Sequence, residues 1–332
     1  MTQPSWPRVA VYGAGAVGCF FGAKLAEAGA PVTLIGRAAH VEAIRRDGLL
    51  FDSPGATRRV RIAADTGPES VRDADLVLFC VKTRDTADAA GALAPLLRAD
   101  AVLVSLQNGV DNVPKLRDAG IDALAAVVYV ATSMPAPGHL LHAGRGDLVI
   151  GEYGARPGPA RSHGAPHQAA ADQAAAAQPS ARARQVADWF ERAGVPVRLD
   201  ADLRGELWTK LVMNCAFNAI SALGRSRYGP MVDDPDVRVL MRDAIGECVA
   251  VARADGVSVA DVDTLYEATM RLGAAMREAS SSTAQDLARG RPTEIDSLNG
   301  YVAQRGQVLG VATPVNRALT TLVRLLERAA PA

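Results

Sequence analysis

The chain has 332 residues, 36 Lys and Arg against 36 Asp and Glu, and a formal net charge of zero at pH 7. Hydrophobic residues make up 49 % of it, which supports a sizeable buried core and excludes wholesale disorder. At roughly 100–200 residues per domain the length predicts two domains, and the balanced charge speaks against a nucleic-acid or anionic-membrane partner.

Strand and helix patterns alternate from the start. Residues 8–12 are a short apolar strand, 16–28 carry helical spacing up to Gly29, 31–35 are a second strand and 39–46 a short helix. A hairpin follows, 48–51 against 59–62, around Ser53-Pro54-Gly55. Residues 75–81 and 101–106 are continuous apolar runs on either side of a helical segment at 86–97. Continuous runs suit strands buried on both faces of a parallel sheet. Strands at 125–130 and 147–151 complete the pattern of a Rossmann-type, doubly wound α/β domain.

Residues 155–184 hold no apolar side chain larger than Ala or Pro. Such a segment cannot offset its ordering entropy by burial, so it predicts an exposed, mobile low-complexity insertion. A helix at 185–193 and a strand at 195–199 then close a first domain spanning 1–199. Beyond it strand signals stop, and helices are predicted at 203–223, 236–254, 260–278, 296–309 and 314–328, an all-helical domain over 200–332. Thr313-Pro314 is a helix start, with Thr at the cap and Pro at the first helical position.

The cysteines, Cys19, Cys80, Cys215 and Cys248, are far apart and lie in apolar runs, which points to reduced thiols and a cytoplasmic protein. The N-terminal residues do not form a signal peptide, and no uncharged apolar stretch reaches the length of a membrane span. His139 and His142 are close in sequence, but no Cys, Asp or Glu beside them completes a metal site, so no metal is expected.

Gly13-Ala14-Gly15-Ala16-Val17-Gly18 directly follows the first strand and opens the first helix. In that context it is a dinucleotide fingerprint. Gly13 permits the tight turn, Gly15 lets the backbone approach a pyrophosphate, and Gly18 allows helix and strand to pack closely. The helix N-terminus offers N–H groups to the phosphates. The alternative is a glycine-rich turn of packing value only. At the end of the second strand, where NAD binders place an acid, the chain reads Gly36-Arg37. Arg37 suits a 2′-phosphate, which favours NADPH; the alternative is a solvated surface arginine.

In the second domain, Lys210, Asn214 and Asn218 are spaced i, i+4, i+8 on a helix apolar on nearly every other side. At about 100° per residue they drift only about 80° around the axis while rising about 12 Å. A polar stripe on a buried helix suggests a ligand pocket, since burying an ammonium and two carboxamides is costly without partners. The alternative is a snorkelling Lys with two Asn bonded to backbone.

With these motifs in hand, the chain resembles the ketopantoate reductases (2-dehydropantoate 2-reductases). The resemblance rests on the glycine motif, Val81-Lys82-Thr83, Gln107-Asn108-Gly109 and the Lys210…Asn214…Asn218 helix. It extends through Ser281-Ser282-Thr283-Ala284-Gln285-Asp286 and Pro292-Thr293-Glu294-Ile295-Asp296-Ser297-Leu298-Asn299-Gly300, all in family order. It implies hydride transfer from NADPH to the ketone of 2-dehydropantoate, giving pantoate. It implies Lys210 as proton donor, with Asn214, Asn218 and Ser282 holding the substrate. It also implies Asn108 bridging cofactor and substrate, Glu294 contacting the cofactor and the catalytic region, and Lys82 near the ribose or nicotinamide.

Those roles are chemically coherent. A positioned ammonium stabilises the oxygen that becomes negative and then supplies its proton. A carboxylate such as Glu294 keeps that ammonium charged against burial. The bland alternatives are a first-turn carboxylate for Glu294, a helix cap for Ser282, a strand-end charge for Lys82 and a turn former for Asn108. The insertion departs from the family pattern, and the motifs fix the 2-keto acid and the hydride more firmly than the branched hydroxymethyl group. Two further readings therefore stand: a related dehydrogenase of another 2-keto or 3-hydroxy acid, and a non-catalytic NADP-binding sensor. A homodimer is compatible with the sequence, which does not decide the oligomeric state.

Overall fold

The computed structural model describes residues 5–154 and 178–329. The chain divides into two units, Met1–Leu203 and Arg204–Ala332.

The first unit is built on one sheet. In chain order its strands are β1 (Val9–Tyr12), β2 (Val32–Ile35), β3 (Leu49–Ser53), β4 (Ala56–Val60) and β5 (Ala63–Asp65), followed by β6 (Leu76–Phe79), β7 (Val102–Ser105), β8 (Ala123–Ala136), β9 (His139–Gly151) and β10 (Val197–Asp200). Their spatial order is β4-β3-β9-β8-β7-β6-β1-β2-β5, with β10 pairing β9. The run from β5 through β2, β1, β6 and β7 to β8 is parallel throughout. Chain order steps outward from β1 in both directions, so β1 stands at the topological switch point where doubly wound sheets bind ligands.

The continuous apolar runs have a simple cause. Val9 and Val11 of β1, with Leu76 and Leu78 of β6, enter one core, while Ala10, Val77 and Phe79 enter the core on the opposite face. Both faces are covered, so no position in these strands is left for a polar side chain.

The α/β fold class expected from the sequence is the one observed, with three differences of detail in the first unit. The strands predicted at 125–130 and 147–151 are the inner parts of a long antiparallel hairpin, β8 with β9, which turns at Gly138 (φ +68°). Register shifts after Tyr129, Ala131 and Ser133 break the alternation that would reveal a strand in sequence. β5 and the helix Asn112–Asp118 are too short, and too small-sided or polar, to show a period. Finally, the predicted insertion overruns into ordered chain. Residues 155–177 lie outside the described residues, but Ser180 caps a helix at Ala181–Arg192 by accepting from Ala183 N at 3.2 Å. Alanine and arginine form a helix readily once capped, and composition alone does not register that.

The described part of the second unit is helical: Arg204–Leu223, Tyr228–Asp233, Pro235–Ala254, Val262–Ala275, Ser282–Ala288, Asn299–Leu309 and Pro314–Ala329. The helix predicted from residue 296 is instead a 3-10 turn, Ile295–Ser297, then a break at Leu298 (φ −110°, ψ −108°) and a helix from Asn299. The break sits beside the buried Asn299, whose amide donates to Cys215 O and Asn316 Oδ1, both at 3.0 Å.

Candidate active site

Gly13 has φ +115°, and a Cβ there would lie 2.6 Å from the Cys80 carbonyl carbon. Gly18 is equally committed, because its Cβ would meet Gly13 O at 2.3 Å. Gly15 is the opposite case: it is exposed, and nothing lies within 4 Å of where its Cβ would be. The turn is pinned underneath by Gly13 N and Ala14 N, which donate to Ile35 O. Ala16 and Val17 open the helix Ala16–Glu27, whose first turn holds no acid and whose N-cap, Gly15, makes no side-chain cap. Open backbone over Gly15 at an uncapped helix N-terminus fits a pyrophosphate.

Arg37 is exposed at the N-cap of the helix Ala38–Asp47. It follows Gly36, where a Cβ would come within 2.6 Å of Ala14 Cβ, so the end of β2 lies against the glycine turn. Asp65 of β5, which stands opposite Ile35 at the end of β2, is already engaged. It accepts from Ser70 Oγ and Thr66 N, both at 2.7 Å, and from Arg45 Nη2 at 3.1 Å. The Ser70 hydrogen bond, then the backbone amides, hold its carboxyl below the ordinary range.

Lys82 is exposed and precedes a 3-10 turn at Thr83–Asp85, just beyond β6. Half-buried Asn108 follows β7, and its carbonyl accepts from Thr83 Oγ1 at 3.0 Å and Asn112 Nδ2 at 2.7 Å. The Lys82 and Asn108 loops are thus brought together at the carboxyl ends of adjacent parallel strands.

In the second unit, Lys210 and Asn214 are half-buried on the helix Arg204–Leu223, and Asn218 is 4 % exposed. Trp208, Leu211, Val212 and Cys215 bury the other side. Asn218 Nδ2 lies 3.5 Å from Ser282 Oγ, so these two predicted residues meet. The cap of the helix Ser282–Ala288 is Ser281, which accepts from Ala284 N and donates to Asn218 O at 3.1 Å. Ser282 is exposed and does not serve as that cap. Glu294 is half-buried ahead of the 3-10 turn Ile295–Ser297 and makes no side-chain cap there.

Two family descriptions match the chain: ketopantoate reductase PanE/ApbA over residues 9–155, and its C-terminal counterpart over residues 202–327. A 2-dehydropantoate 2-reductase of Halobacterium salinarum is 36 % identical over 326 residues, 97 % of this chain and 99 % of that protein. A crystal structure of a PanE/ApbA family ketopantoate reductase from Ralstonia eutropha is 44 % identical, with a TM-score of 0.85 over 97 % of this chain and 99 % of that one. The chain belongs to the ketopantoate reductase family. It is therefore an oxidoreductase acting on a CH–OH/ketone pair. A D-mandelate dehydrogenase structure shares the fold at 22 % identity, TM-score 0.83, covering 97 % of this chain and 99 % of that one.

Within the ketopantoate reductase frame, sequence reading passed over several residues that bond to the segments carrying the predicted site residues. Ser281 escaped because a cap cannot be told from its neighbour in a Ser-Ser-Ser run. Thr86 and Asn112 escaped because their partners are remote in sequence. Among the described residues no group of three His, Cys, Asp or Glu is placed to hold a metal ion. His139 Nε2 lies 3.8 Å from Asp52, and the His142 ring sits against Phe20. No helix of the described residues is long and apolar enough to cross a membrane.

Proposed function

We propose that this enzyme reduces 2-dehydropantoate to (R)-pantoate with NADPH, the reductive step of pantothenate biosynthesis. The observation that carries the reading is the polar stripe Lys210–Asn214–Asn218 continued by Ser282, in a family member that also has an open glycine cradle. A sensor of nucleotide needs the cradle and has no use for the stripe.

The glycine turn holds the pyrophosphate on the helix N-terminus, and Arg37 pairs with the 2′-phosphate. Asp65 is spent on Ser70, Arg45 and backbone amides, which speaks against a ribose 2′-hydroxyl as its partner and so against NADH. Lys82 and Asn108 hold the nicotinamide half. When bound, the dihydronicotinamide supplies a hydride. Lys210 stabilises the ketone oxygen as it turns negative and then protonates that same atom. Glu294 keeps the Lys210 ammonium charged. Asn214, Asn218 and Ser282 hydrogen-bond the carboxylate and terminal hydroxyl. Cys19, Cys80, Cys215 and Cys248 are all thiols, which suits the cytoplasm.

The test is NADPH oxidation by the purified protein against a panel of 2-keto acids. A site built to bond a hydroxyl rejects analogues lacking it, because its own polar groups are left unpaired. The expected kcat/KM for 2-dehydropantoate exceeds that for 2-keto-isovalerate by at least about a hundredfold. Equal rates would leave a general 2-keto-acid reductase, and no turnover with any keto acid would leave a nucleotide-binding protein.

A further inference from the structure

Beneath the Lys82 and Asn108 loops lies a directed chain of buried polar side chains. Ser105 Oγ donates to Gln107 Oε1 at 2.9 Å. The Gln107 amide donates to Val81 O at 3.0 Å and to Thr86 Oγ1 at 2.7 Å. Thr86 Oγ1 in turn donates to Asn112 Oδ1 at 3.0 Å, and Asn112 Nδ2 donates to Asn108 O. Gln107, Thr86 and Asn112 are 7 %, 0 % and 3 % exposed.

Apolar side chains would join two loops at lower desolvation cost, since every amide and hydroxyl buried here must be bonded to be tolerated. What a saturated polar chain adds is direction: each hydrogen bond holds only within a narrow range of distance and angle. From Gln107 the chain runs in two directions, and each finishes on a backbone carbonyl. One, Val81 O, immediately precedes Lys82, and the other belongs to Asn108. The Val81 end also backs the glycine turn, because a Cβ on Gly13 would lie 2.7 Å from Val81 N. The chain therefore sets the two loops against each other on the ligand side of β6 and β7.

We infer that Thr86, with Gln107 and Asn112, is a positioning residue for the nicotinamide end of the cofactor, acting by holding the Lys82 and Asn108 loops in register. This rests on the NADPH reading above. Thr86, on the Lys82 side, is the centre of the chain: it accepts from the Gln107 amide and donates to the Asn112 amide oxygen, both on the Asn108 side. Its isosteric replacement by Val leaves Gln107 one donor and Asn112 one acceptor without their partners.

The experiment is calorimetric titration of the full chain, unmutated and as Thr86→Val, Thr86→Ser and Asn112→Asp. The ligands are NADPH and adenosine 2′,5′-bisphosphate, which carries the 2′-phosphate end without nicotinamide. Thr86→Val and Asn112→Asp should raise the NADPH Kd about tenfold and leave the bisphosphate Kd within about twofold, while Thr86→Ser restores NADPH binding. Retained bisphosphate binding shows that the variant is folded. Equal weakening of both ligands, or no change for NADPH, overturns the proposal. An unmutated protein that reduces no keto acid refutes the reduction, yet the two Kd values still decide the positioning role. One that binds neither ligand overturns both.

Discussion

Arg182 grips Glu152 with two parallel hydrogen bonds, Nε to Oε1 at 3.0 Å and Nη2 to Oε2 at 2.6 Å. The same guanidinium reaches Asp122 Oδ2 at 2.9 Å. One side chain in the first turn of the helix Ala181–Arg192 thus fastens the entry of β8 to the exit of β9. Burial opposes its charge, but the hydrogen bonds to Glu152 and Asp122 outweigh it and leave the Arg182 pKa above its ordinary value.

Removing this clamp leaves a nearly buried carboxylate, since the Glu152 side chain is only 9 % exposed. Arg182→Ala should cost about 2–3 kcal/mol in urea unfolding, less than a fully buried pair because the guanidinium retains some solvent. Adding Glu152→Gln should return part of that loss. An Arg182→Ala protein as stable as the parent would show the clamp to be ornamental.

Two glycines of the same turn should fail in different ways. Gly15→Ala meets nothing within 4 Å and its φ of −87° suits alanine, so the melting temperature should hold while the NADPH Kd rises about tenfold or more. Gly18→Ala drives a methyl into Gly13 O and should lose about 1–3 kcal/mol of stability. Melting curves recorded alongside NADPH titrations separate the two; a destabilised Gly15→Ala would contradict the open cradle.

Arg37→Ala should erode the preference for NADPH over NADH and leave the keto-acid KM unchanged. Losing a charge-assisted phosphate contact costs about 1.5–3 kcal/mol. Steady-state kinetics with both cofactors measure it, and an unmutated protein that uses the two equally would remove Arg37 from the site.

Lys210→Ala should lower kcat by about a hundredfold to ten-thousandfold with NADPH affinity retained, because the glycine turn and the lysine belong to different units. Single-turnover rates beside a binding titration make the distinction. A variant with most of its turnover would reduce Lys210 to a packing role.

What the sequence by itself determined was whatever is written within a few adjacent residues. The turn at Gly13, the helix that follows, the start at Pro314 and the two-sided burial of β6 all answer to local φ/ψ limits, caps and runs of apolar residues. The stripe Lys210–Asn214–Asn218 was legible for the same reason, since helical geometry alone aligns it. Tertiary structure alone decided the partners. That Thr86 meets Gln107 depends on β6 lying beside β7 in register, Phe79 opposite Ser105. That Arg182 meets Glu152 depends on β10 returning parallel to β9. Ser281 rather than Ser282 caps its helix because Ser281 also reaches Asn218 O on another helix. A polar side chain advertises that it needs a partner; which partner it finds is set by the register of strands and helices remote in sequence, and no local pattern encodes that.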